Sequence, residues 1–100
     1  MKTVNFNKKM QDIYRRYVCS CNYSLSDIYD SYSTEKVRAF DYCNELMEQH
    51  NGKALKIIGG NKTQFSAGFI YTNESKEEIF VYITKDYDRQ CKVDKGVLYD

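Results

Sequence analysis

Apolar and polar residues alternate along this chain in two different periods, and the change from one to the other falls close to its middle. Met10, Ile13, Tyr14, Tyr17 and Val18 recur at helical spacing, while Asp12, Arg15 and Arg16 fall outside the stripe, which predicts a first amphipathic helix. The Ser, Asn and Cys mixture of Cys19 to Ser26 should end it, with one further short turn over Ser26 to Tyr32 carrying Ile28 and Tyr29. Ser33 or Thr34 can cap a second helix, and Glu35 in its first turn suits the helix dipole. Val37, Phe40, Cys43, Leu46 and Met47 make its apolar face, and Asn51-Gly52 supplies a left-handed stop.

From Ala54 onward the period is two. Leu55 and Ile57 alternate with Lys56, and Gly59-Gly60-Asn61-Lys62 reads as a hairpin turn into a strand over Thr63 to Thr72. There Phe65, Ala67, Phe69 and Tyr71 share one face, and Asn73 to Glu77 is a polar turn. In Glu78 to Lys85, Ile79, Val81 and Ile83 face one way and Phe80, Tyr82 and Thr84 the other, so both faces of this strand are expected to be partly covered. After a loop at Asp86-Tyr87-Asp88, Gln90 to Val93 can add an edge strand before a polar tail. The expected fold is α+β, a two-layer domain with N-terminal helices packed on a three- to four-stranded antiparallel meander.

Length and composition add bounds. One hundred residues, 42% hydrophobic and 29% charged, make a single domain over residues 1–100, with 1–7 and 95–100 expected to be loosely ordered. Fifteen basic and fourteen acidic residues nearly cancel, so no global field draws the protein to nucleic acid or an anionic membrane. No apolar run reaches the roughly 18–20 residues of a membrane span, and the N-terminal residues lack the apolar core of a signal peptide. A cytoplasmic protein is therefore expected, with Cys19, Cys21, Cys43 and Cys91 reduced rather than paired.

Candidate chemistry is sparse. His50 stands seven residues after Cys43, a spacing compatible with a cysteine–histidine dyad on one helical face, although a half-buried cysteine and a last-turn histidine explain both residues better. Cys19-Ser-Cys21 is not a zinc knuckle, Glu74-x-Lys76 lies in a turn, and Asp86 with Asp88 reads as solvated loop. Gly59-Gly60 lacks the sequel of a phosphate loop. No catalytic residue, metal or cofactor is expected. Ten tyrosines with no tryptophan are the most unusual feature, and Tyr23, Tyr29, Tyr32 and Tyr87, with Arg89, fall in or near loops where they suit a protein interface. A rival arrangement for nucleic acid takes Lys8, Lys9, Arg15 and Arg16 of the first helix with Phe69 and Tyr71 as stacking residues.

Tyr29 with Lys36-Val-Arg-Ala-Phe40, Asn51-Gly52, Phe65-Ser-Ala-Gly-Phe69 and Tyr82-Ile-Thr-Lys-Asp-Tyr-Asp-Arg89 resembles small uncharacterised proteins encoded on phages and mobile elements of low-GC Gram-positive bacteria. The resemblance covers Ile28 to Val93, and those relatives often carry Arg-Pro at Asp30-Ser31 and Trp at Phe40. It implies a genetic setting rather than a mechanism. Such proteins often bind and block host machinery, anti-CRISPR proteins among them, so the expected function is non-enzymatic binding and inhibition of a host protein such as a Cas effector. The alternative is a small nucleic-acid or ribonucleoprotein accessory factor.

Overall fold

The computed structural model describes residues 3–5, 8–20, 34–60, 63–86 and 90–99. Strand β1 (Thr3–Asn5) precedes helix α1 (Lys8–Cys19) and helix α2 (Thr34–Gln49). Four longer strands follow: β2 (Lys53–Gly60), β3 (Gln64–Thr72), β4 (Glu78–Asp86) and β5 (Cys91–Tyr99). They form one antiparallel sheet in the order β1-β5-β4-β3-β2, so the four long strands are the expected meander. The α+β class and the order of two helices followed by a meander are as the periodicities predict.

The side chains divide the helices between the two faces of the sheet. On one face α2 buries Ala39, Phe40 and Cys43 against Phe65, Ala67, Phe69, Ile79, Val81 and Ile83. On the other, α1 buries Met10, Ile13, Tyr14 and Tyr17 against Phe80 and Leu98, with Ile58, Ile70 and Tyr82 at the margin. The stacking is helix–sheet–helix, with the helices on opposite faces, because β4 carries large apolar side chains at both its odd and its even positions and neither set can be left in water. Phe80 anchors α1: its ring centroid lies 5.1 Å from that of Tyr14 and 5.0 Å from that of Tyr17. Val18 completes the helical stripe in sequence but is 48% exposed, since the stripe has by then turned away from the sheet.

Local chemistry accounts for the element ends. The N–H of Gly52 donates to the carbonyl of Met47 at 2.8 Å and that of Asn51 to Glu48 at 3.1 Å, which closes α2 with paired reversed hydrogen bonds. Asn51 takes the left-handed position at φ 53°, and Gly52 is needed for space instead, since a Cβ there would stand 2.8 Å from the Phe69 ring. At the β3–β4 turn, Lys76 is left-handed at φ 66°, while Asn73 Oδ1 accepts from the Glu77 N–H at 2.9 Å.

The helices take both faces of the sheet, so the stack has three layers where two are expected, and three further expectations differ in detail. Gly59 and Gly60 belong to β2, opposite Ser66 and Phe65, so the turn falls beyond them. That pairing is irregular, with register shifts between Lys53 and Lys56 and between Ile57 and Gly59. The polar tail is also ordered: β5 runs through Tyr99, because its backbone pairs with β4 on one side and with β1 on the other. The N-terminal leader supplies β1, pairing Thr3 with Tyr99 and Asn5 with Val97, so β5 is an interior strand rather than an edge.

Candidate functional site

Helix α2 packs mainly on β3 and β2, and on the β5 side of the same sheet face Val93 and Tyr99 are exposed. Antiparallel register fixes which side chains occupy that area. Cys91, Val93, Lys95 and Val97 stand opposite Lys85, Ile83, Val81 and Ile79, and therefore share the face that α2 covers elsewhere. The result is a strip about 20 Å long from Val93 to Tyr99, at roughly 3.3 Å per residue. Val93 is 46% exposed and Tyr99 49%, and Tyr42 of α2, 38% exposed, flanks the strip. These three, with Val18 on the opposite side of the sheet, are the exposed large apolar residues of the described chain.

The end of the strip nearest α2 is a small polar cluster. Lys85 Nζ sits 5.1 Å from the centroid of the Tyr42 ring and 3.3 Å from the carbonyl of Asp86. The Tyr42 hydroxyl is held above the ordinary phenol range, first by its side-chain hydrogen bond with Cys91 and then by the negative charge that thiol would carry. Behind it Cys43 is fully buried, and its pKa is pushed up to about 12 by desolvation and, next, by Cys91. An aromatic, a half-exposed thiol and an ammonium thus stand beside apolar β-branched side chains.

The residues anticipated for chemistry separate. Cys43 is buried, its thiol pKa pushed up to about 12 chiefly by desolvation, whereas His50 is exposed with its ring stacked on Tyr71 at 4.7 Å. Among the described residues no group of three or more His, Cys, Asp and Glu side chains converges as a metal site. Of the two rings in the nucleic-acid arrangement, Phe69 is wholly buried beneath α2 and offers no face to a base, while Tyr71 is half-buried and stacked on His50. Those rings also lie on the α2 face, while Lys8, Lys9, Arg15 and Arg16 lie exposed on α1, across the sheet. Aromatic alternation on β3 was a core signal.

Tyr23, Tyr29, Tyr32, Tyr87 and Arg89, the interface residues expected from sequence, lie outside the described residues, as does the short turn over Ser26 to Tyr32. Sequence reasoning missed Tyr42, Val93 and Tyr99. The alternation of Cys91, Val93, Lys95, Val97 and Tyr99 was there to be read, but the polar Lys92, Asp94 and Lys95 among them resembled a tail. No helix among the described residues is long and apolar enough to cross a membrane. Comparison with family models, with curated proteins and with solved structures yields no match to this chain.

Proposed function

We propose that this chain is a non-enzymatic binding protein that engages and blocks a host protein through the uncovered β5 strip. The observation that carries this reading is the exposure of Tyr42, Val93 and Tyr99 beside Cys91 and Val97 on a face whose other half is a packed core. Interfaces draw their energy from a few aromatic and aliphatic anchors at a desolvated centre, and a rigid sheet holds such anchors in place at little entropic cost. The phage or mobile-element setting, and a Cas effector as one class of target in the host cytoplasm, rest on the resemblance over Ile28 to Val93.

The test is capture from host lysate with nuclease treatment, followed by titration of the captured protein against Val93→Asp and Tyr42→Ala. Both positions are exposed, so thermal midpoints should stay within about 2 °C of the parent, while binding weakens by roughly tenfold or more, as for anchors of an interface. Folded variants that hold the same partner at unchanged affinity would remove the strip from the interface.

A further inference from the structure

The outer face of α1 carries a concentrated positive charge that the near-neutral whole hides. Lys8, Lys9, Arg15 and Arg16 are all exposed and Asp12 is the one carboxylate among them, a net +3 on one helix within a chain of net +1. The remainder of the chain is therefore net −2. At physiological salt charges are screened beyond about 8 Å, so a ligand at this surface senses the helix and not the whole. We propose that α1 is a second binding surface, independent of the β5 strip, which grips the phosphate backbone of double-stranded nucleic acid without reading its sequence.

Three observations favour that ligand. Seven residues separate Lys8 from Arg15 and Lys9 from Arg16, which puts two basic pairs on one arc of the helix about 10.5 Å apart along its axis. That separation is close to the ~12 Å width of the B-form DNA major groove, which favours a DNA duplex, so each pair can meet phosphates of one bounding strand. Second, every aromatic and every large apolar side chain of α1 except Val18 is buried against the sheet, so this face lacks the anchors that a protein interface needs. The two rings of α1, Tyr14 and Tyr17, are likewise buried and cannot stack unpaired bases, which disfavours a single strand on this helix. Third, Lys8 and Lys9 occupy the first turn with no acidic residue, where the helix dipole opposes positive charge, and an anion seated there relieves that repulsion. Asp12 lies between the pairs and holds Arg15 Nη1 at 3.4 Å, so about three cations remain for phosphate.

With about three phosphates neutralised, the slope of log affinity against log salt should be about −2.7, or some 40-fold weaker binding at 200 mM than at 50 mM salt. The measurement is fluorescence anisotropy of the full chain against a labelled 20-base-pair duplex across that range, with thermal melts confirming that each variant is folded. Lys9→Gln with Arg16→Gln should flatten the slope by about 1.8, at roughly 0.9 for each contact removed. Asp12→Asn, which releases Arg15, should steepen it by about 0.9 and tighten binding. No binding at 50 mM salt, or a slope that ignores these substitutions, overturns the proposal. Displacement of the duplex by polyglutamate at equal charge concentration also overturns it, and assigns the face to an acidic protein. Because the β5 strip lies across the sheet, Val93→Asp serves as the separating control: it leaves duplex binding unchanged whether or not the strip binds a protein.

Discussion

Replacing Phe80 with alanine should detach α1 while leaving α2 seated, because this one side chain is the floor on which the first helix stands. Phe80 is wholly buried and contacts the rings of both Tyr14 and Tyr17, at 5.1 Å and 5.0 Å between centroids. Truncation of a buried phenylalanine costs about 3–5 kcal/mol, against a total of about 5–15 kcal/mol for a domain of this length. The remaining support for α1, Leu98 with the half-buried Ile58, Ile70 and Tyr82, is thinner than what is lost. Phe80→Leu keeps most of the volume and should cost no more than about 1.5 kcal/mol. Urea unfolding followed by circular dichroism reads the total, and amide hydrogen exchange reads its distribution. Protection should fall first along Ile13 to Tyr17 and last at Phe40 to Cys43, with the order reversed in Phe69→Ala. If α1 and α2 lose protection together in both variants, or if Phe80→Ala costs less than about 1 kcal/mol, the two-sided core is misassigned.

Gly68→Ala should destabilise by about 1–3 kcal/mol, since the new Cβ would stand 2.9 Å from the Phe80 ring and 3.0 Å from the Val81 carbonyl oxygen, and a thermal melt should register it directly. Tyr17→Phe deletes the hydroxyl that donates to the carbonyl of Ala54, so the urea midpoint should fall by the equivalent of about 1 kcal/mol at unchanged m. Cys43 has its folded pKa raised from 9.0 to about 12, so above pH 9 the unfolded thiol releases its proton while the folded one keeps it. Stability should therefore fall as pH rises from 9 toward 12, by at most about 1.4 kcal/mol per pH unit. Cys43→Ala should lose that component of the slope, and a slope identical to the parent's would show that the thiol plays no part.

The repeating patterns were legible wherever one side chain in two or in 3.6 met the core. The odd positions of β4, the face of α2 from Val37 to Met47, and the α1 stripe through Tyr17 all pack as their spacing requires. Which face each helix takes was only half legible: Phe80 and Tyr82 announced a second apolar face, but no local pattern states that α1 and not α2 covers it. The strand β1 was invisible, since three residues carry no period and Thr3–Asn5 is strand only because the β5 edge lies beside it. The candidate surface was hidden for a related reason. Val93 closes the expected edge strand while Val97 and Tyr99 read as a polar tail among lysines and Asp94, and their shared face emerges only from the register with β4.

The placement of α1 also sets the order of events on the ribosome. Its apolar stripe, Met10, Ile13, Tyr14 and Tyr17, is made well before side chains that it rests on, Phe80 and Leu98 among them. At about 5–20 residues per second, roughly 4–16 s pass between the synthesis of Tyr17 and that of Leu98. Throughout that interval the stripe lacks part of the sheet that covers it, and β1 waits still longer for β5. Until those strands are made, α1 is an amphipathic segment with Tyr14 and Tyr17 on its apolar side, and its docking is timed by the synthesis of the sheet rather than of the helix itself.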